Sequence, residues 1–169
     1  MTEKMQDTYE ISDDAEKFIV DIFSKIDSYI DLDFIRVDSP SNAIIKIFKT
    51  NELDDGSTGL MSYETRPTLK IDLTWSEGFR YNKLKMKKYP TLSVDGASII
   101  VHEIGHALGL EHSGCGQYCK FNIDPEDTRI NNKDTVMSYN NLLYENNNRF
   151  LTDLDIKALQ QMWGVEKEN

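Results

Sequence analysis

Hydrophobic side chains recur at helical spacing in the first part of the chain. They follow Ser12, Asp13 and Asp14, residues that can cap the start of a helix. The spacing of three and four residues places them on one face, which favours a helix packed on the core over a surface for a partner. The stripe consists of Ala15, Phe18, Ile19, Ile22, Phe23, Ile26 and Ile30.

Two later segments also predict helices. The first begins at Ser93 or Asp95, and the second begins at Thr152–Asp155, which is a variant of the capping box. The middle helix offers the core five apolar side chains: Ile99, Ile100, Val101, Ile104 and Leu108.

Short apolar runs between the first two helices predict strands. Phe34–Val37 is a short strand, and Ala43–Phe48 is a second, largely buried strand. An acidic, glycine-containing loop follows from Asn51 to Gly59. This order of elements predicts an α+β fold.

Composition indicates one soluble domain over residues 1–169, with a polar N-terminal segment at 1–10. The chain is 39% hydrophobic and 28% charged, which is typical of globular proteins. Its net charge of −10 argues against binding of nucleic acid through phosphates. No apolar run reaches the length of about 18 residues that a membrane span needs. We expect a monomer.

All three histidines lie within one window, His102 to His112, with the sequence HEIGHALGLEH. On a helix, His102 and His106 project from one face, and Glu103 lies beside them. Gly109 can adopt a left-handed conformation and turn the chain, so that His112 approaches from the side. Three imidazoles with a fourth position open to water are the pattern of a catalytic Zn²⁺ site.

Two other interpretations of the histidine window remain open. The histidines can be surface or core residues of a buried helix without any metal. Alternatively, the zinc site is intact but cleaves nothing, although a purely structural site has no need of Glu103.

The window, together with Thr135–Tyr139 downstream, resembles the metzincin clan of zinc metalloendopeptidases, which combine HExxHxxGxxH with a methionine turn. The resemblance implies that Met137 packs beneath the zinc as a hydrophobic base; an ordinary core methionine is the alternative. Ser113, directly after the third histidine, resembles matrixins (matrix metalloproteinases). Tyr139 resembles serralysins, in which this tyrosine is a fifth zinc ligand. The chain therefore resembles a compact catalytic domain between the two subfamilies.

The same resemblance implies a zincin-like fold. Its parts are an N-terminal helix, a mixed twisted five-stranded sheet with one antiparallel edge strand, the zinc helix, the Met-turn and a C-terminal helix. Gly59–Pro67 resembles the edge strand and the bulge after it, and Leu69–Trp75 resembles the next strand. Asp155–Gly164 resembles the closing helix.

The implied activity is zinc-dependent hydrolysis of peptide bonds. Glu103 would act as general base on a zinc-bound water, and Tyr139 would donate a hydrogen bond to the developing oxyanion. An extended protein or peptide substrate would add along the edge strand at Gly59–Tyr63. A protein inhibitor is a further candidate partner. The alternative is a metzincin-fold zinc-binding module with a binding or assembly role and little or no proteolysis.

Cys115 and Cys119 follow the third histidine closely. A short-loop disulfide, two free thiols and a second zinc site are the open interpretations, in that order of preference. With every histidine already used, we expect no second, histidine-rich zinc site. The loop Asp54–Ser57 is a candidate calcium site, with a solvated acidic turn as the preferred interpretation.

The sequence leaves the cellular location undetermined. Met1–Asp7 is polar and lacks the apolar core of a signal peptide. A disulfide would favour secretion, and a secreted, extracellular protein is the preferred expectation. No cysteine precedes the zinc helix, so we expect no cysteine-switch latency within this chain.

Overall fold

The parts of the chain that the structure describes contain three helices and a small mixed sheet. The structure is a computed structural model, and it describes residues 8–53, 56–66, 68–76, 84–112, 130–138 and 150–167. In chain order the elements are α1 (Asp13–Asp27), β1 (Ile45–Thr50), β2 (Gly59–Glu64), β3 (Lys70–Ser76), α2 (Val94–Ala107) and α3 (Asp153–Trp163).

The apolar stripe of α1 packs into the core, as its spacing predicts. The side chain of Ser12 caps the helix by accepting from the Ala15 N–H, and the first turn is acidic, which suits the positive end of the helix dipole. Ile19 and Phe23 pack at the margin of the core. The fully buried members of the stripe are Ala15, Phe18, Ile22, Ile26 and Ile30.

The sheet has the strand order β1-β3-β2. The central strand β3 runs parallel to β1 and antiparallel to β2. Alternate side chains of β3, those of Ile71, Leu73 and Trp75, are buried against the helices. Strand β2 therefore lies at the edge of the sheet, and within the described residues it pairs with a strand on one side only.

The predicted strand at Phe34–Val37 is wrong. The Phe34 N–H donates to Asp27 Oδ2 at 2.9 Å instead of to a neighbouring strand, and the Phe34 ring packs on Phe23 with centroids 5.0 Å apart. Ile35 projects outward with 83% of its surface exposed. The Asp27 carboxylate thus takes the backbone N–H that a strand would donate to a neighbouring strand.

The structure shows three strands within the described residues, so the predicted number of five is not confirmed. Strand β1 is also less buried than its sequence predicts, because only Thr50 at its end is fully buried. The predicted antiparallel edge strand is present as β2.

Helix α2 packs across β3 and β2 and carries the histidine window. Ser93 is its N-cap and accepts from the Gly96 N–H at 2.9 Å, which decides between the two predicted starting residues. Of the five predicted core residues, Ile99 alone is only half-buried; it packs at the edge of the core.

Helix α3 begins with the predicted capping box, and its last residue is hydrogen-bonded to the C-terminal end of α2. The Thr152 side chain accepts from the Asp155 N–H, and the Asp155 carboxylate accepts from the Thr152 N–H. At its other end, the indole N–H of Trp163 donates to the Leu108 carbonyl at 2.8 Å. Among the described residues, no helix is both long and apolar enough to cross a membrane.

Candidate metal centre

The three histidines converge because the chain turns sharply after α2. His102 and His106 lie one helical turn apart, with ring centroids separated by 4.8 Å. Gly109 has φ = +101°, a conformation that side-chain-bearing residues adopt only with strain. The turn is closed by the Leu110 N–H, which donates to the Gly105 carbonyl at 2.9 Å. It returns His112 to the face of the helix that bears the other two histidines, as the sequence predicted.

The same ring nitrogen of each histidine points at a common centre. His112 Nε2 lies 2.9 Å from His102 Nε2 and 2.9 Å from His106 Nε2. On the outer side of the rings, the Nδ1 atoms of His102 and His106 lie 2.8 Å from the carbonyl oxygens of Val136 and Leu110. Because a carbonyl can only accept, each Nδ1 carries the proton and each Nε2 presents a lone pair inward.

This donor set fits a Zn²⁺ ion. Two inward lone pairs face a third nitrogen that carries at most one proton, so hydrogen bonds among the rings cannot satisfy all three nitrogens. Tetrahedral zinc with bonds of about 2.0–2.1 Å would hold its nitrogen ligands about 3.3 Å apart, close to the separations found here. Within the described residues, His102, His106 and His112 are the one group suited to hold a metal ion.

All three imidazoles are held in the neutral form that a metal requires. Burial, together with a smaller contribution from the neighbouring histidines, lowers the pKa of His102 to about 4 and that of His112 to about 3. Burial also lowers the pKa of His106. At neutral pH the rings need lose no proton before they bind an ion.

Glu103 is a buried carboxyl beside this centre. Only 6% of its surface is exposed, and burial raises its pKa to about 7. Its Oε2 atom is fully buried and has no hydrogen-bond partner among the described residues. A carboxyl with a pKa near neutrality can both accept and deliver a proton, which is the property of a general acid–base group.

The raised pKa of Glu103 predicts proton release when zinc binds. At about pH 6.5, below that pKa, the carboxyl is mostly protonated; a nearby positive ion favours the carboxylate and lowers the pKa, so a proton leaves. We expect the wild type to release about half to three quarters of a proton more than Glu103→Gln. Calorimetric zinc titrations in buffers of different ionisation enthalpy measure this difference. Equal release by both proteins would contradict the assignment.

Met137 lies directly beneath the histidine-bearing helix. It is 1% exposed, and a Cβ added to Gly105 would stand 2.7 Å from its sulfur. Gly105 lies between His102 and His106 in α2, so the thioether packs against the helix backbone at the level of the metal ligands. The role of Met137 as the hydrophobic base of a zinc site stays a prediction.

Asp155 connects α3 to the segment that orients His102. Its carboxylate accepts from the Thr135 hydroxyl and, at 3.0 Å, from the Val136 N–H, while the Val136 carbonyl accepts from the His102 ring. Asp155 is itself 3% exposed. The sequence predicted Asp155 as part of a capping box and of the closing helix; nothing in the local pattern indicated its contact with the segment that orients His102.

Replacing Asp155 by Asn should destabilise the protein by about 1–3 kcal/mol, because an amide NH₂ would face N–H donors in a buried network. Zinc affinity should fall as well, since the Val136 carbonyl that fixes the His102 ring loses its support; outer-sphere partners are worth about 10–100-fold in metal affinity. Asp153→Asn is the matched control, because it removes an exposed charge from the same helical turn. Thermal unfolding and chelator competition measure both quantities. Equal behaviour of the two variants would refute the role of Asp155.

Several predicted residues lie outside the described part of the chain. These residues are Ser113, Cys115, Cys119 and Tyr139, together with Asp54 and Asp55 of the candidate calcium loop. Their predicted roles stay predictions.

Three neutral imidazoles contributed by a helix and the turn after it, with a buried carboxyl beside them, define a metal-binding centre suited to zinc. A family model described as Matrixin matches residues 2–164, so the chain belongs to the matrixin family. This confirms the predicted metzincin relationship on its matrixin side. The serralysin resemblance, which depends on Tyr139, stays a prediction.

One curated relative supports the same family. The chain is 32% identical over 145 residues to Metalloendoproteinase 4-MMP of Arabidopsis thaliana, a match that covers 78% of this chain. The match covers 41% of that relative, so the chain spans about two fifths of the relative's length.

Proposed function

We propose that this protein is a zinc-dependent endopeptidase that hydrolyses peptide bonds in extended protein or peptide substrates. One observation carries the proposal: three inward-facing histidine Nε2 atoms converge beside a buried carboxyl whose pKa is raised to about 7. A purely structural zinc site would need a fourth ligand and no such acid–base group. Membership of the matrixin family and the name of the plant relative add support.

His102, His106 and His112 would hold the ion through Nε2. When bound, zinc supplies a Lewis acid that activates water and polarises a carbonyl group. Glu103 would accept the proton of the attacking water and then deliver it to the leaving amine, acting first as base and then as acid. Its buried position excludes competing bulk water from the carboxyl group.

Tyr139 is the proposed donor to the oxyanion of the tetrahedral intermediate, as its serralysin counterpart suggests. Its neighbour Ser138 is buried, and the Ser138 hydroxyl donates to the Ile130 carbonyl at 3.2 Å. The hydroxyl of Tyr139 would act as a hydrogen-bond donor beyond the three imidazoles.

The substrate would lie along β2. This strand bonds to β3 on one side, and its other edge has no strand partner among the described residues. Gly59 at its beginning lies against Glu103, so an extended peptide added to the free edge would pass the acid–base group. Backbone pairing of this kind favours unstructured substrates and depends little on their sequence.

Cleavage of quenched peptides and of an unfolded protein, with and without a zinc chelator, tests the proposed function. We expect cleavage that the chelator abolishes and that added zinc restores. A zinc-loaded protein that cleaves nothing across a broad peptide library would overturn the proposal. That outcome would favour the binding or assembly module instead.

A further inference from the structure

Gly59 opens β2 at the point where the strand passes over α2. Strand interiors disfavour glycine, because it has no side chain to pack and loses much conformational freedom on folding. Among the described glycines, Gly56, Gly109 and Gly164 have positive φ and Gly59 does not, so the backbone conformation of Gly59 does not demand glycine. Another feature of the site must account for the residue.

That feature is the carboxyl group of Glu103. A Cβ added to Gly59 would overlap Glu103 Oε1 and would stand 2.7 Å from Glu103 Cδ. It would also lie 2.8 Å from Ile99 Cγ2, one helical turn earlier on α2. Separations below 3.0 Å essentially never occur for a real Cβ, so a side chain here would force the carboxyl to move.

Glu103 Oε2 is buried without a hydrogen-bond partner among the described residues. The backbone of Glu103 lies within α2, and its Oε1 and Cδ atoms are at the far end of a flexible side chain, so rotation of that side chain is the least costly way to relieve the overlap. The carboxyl would therefore rotate away from the strand when a side chain is added at position 59.

We propose that Gly59 is a positioning residue for the acid–base group: its missing side chain makes the space in which the Glu103 carboxyl lies. The inference rests on the proposed function, because it concerns the placement of the group that moves the proton. Strand β2 would therefore have two roles. It would pair with an extended substrate, and its first residue would leave the space that the Glu103 carboxyl occupies.

The test is Gly59→Ala. A displacement of about 1 Å at a reacting group can cost about 10²-fold in rate, so we expect kcat to fall by about that factor. KM and zinc affinity should change little, because neither depends on the carboxyl position. A crystal structure of the variant should show the Glu103 carboxyl displaced from the strand while the three imidazoles stay in place.

The same substitution in a Glu103→Gln background separates positioning from general damage. If Gly59 acts through the carboxyl, Gly59→Ala should have almost no further effect on the residual rate once that carboxyl is gone. A purely structural effect would lower the rate by the same factor in both backgrounds, which would overturn the proposal.

Ile99→Ala provides the matched control for the second close contact. The single variant should keep nearly wild-type kcat, and adding it to Gly59→Ala relieves the overlap with Ile99 but not the one with Glu103. The double variant should therefore fold and remain slow; a return of kcat to the wild-type value would overturn the proposal.

If the wild type cleaves and Gly59→Ala cleaves equally well, only this inference fails. If the wild type itself cleaves nothing, the proposed function fails.

Discussion

Glu103→Gln is expected to lower kcat by about 10²–10⁴-fold, the usual contribution of a positioned general acid–base group. The amide has nearly the shape of the carboxyl but cannot accept the proton of the attacking water. Because the possible zinc ligands are the three histidines and not Glu103, the variant should bind zinc with unchanged stoichiometry. Initial rates on a quenched peptide, with metal analysis of the same samples, measure both expectations.

Glu111→Gln is the matched control for this prediction. Glu111 belongs to the same histidine window but is exposed, whereas Glu103 is buried. We expect its kcat to stay within about 2-fold of the wild type, since exposed charges interact weakly through water. A Glu103→Gln protein that kept near-wild-type turnover would contradict the general-base assignment, whatever its zinc content.

The metal centre could be predicted from sequence because its constraints are local. Two histidines four residues apart must share a helical face, and Gly109 must turn the chain before His112 can reach them. The helix starts at Ser12, Ser93 and Thr152 were predictable for the same reason, because a cap acts within one turn.

Contacts between distant parts of the chain were not predictable. Asp155 supports the His102 ring through Val136, and Gly59 lies against Glu103, yet in both cases the partners are far apart in sequence. No periodic pattern marks such contacts, because they arise only when separate elements pack together. The wrong strand at Phe34–Val37 has the same origin: its composition suits a strand, but pairing requires a neighbouring strand, and the described residues supply none.

Among the variants considered, His112→Ala, which removes the third ligand, should weaken zinc binding most. His112→Ala leaves two nitrogens and removes the ligand that the turn at Gly109 brings in, so we expect zinc affinity to fall by more than about 100-fold, beyond the usual cost of an outer-sphere partner. Because binding to the folded state alone stabilises it, zinc should raise the Tm of the wild type and leave that of His112→Ala nearly unchanged. Cleavage should disappear at equal zinc concentration.

Gly109→Ala should reproduce part of this defect without removing any ligand. Its φ of +101° strains a residue with a side chain, and relief of that strain would draw His112 away from the other two rings. Zinc affinity should therefore fall between the values of the wild type and His112→Ala, while Glu111→Gln, one residue before the ligand, binds as the wild type does. Chelator competition ranks the four proteins. If His112→Ala retained wild-type affinity, the metal would not be bound by the three converging nitrogens, and the turn at Gly109 would have no part in binding it.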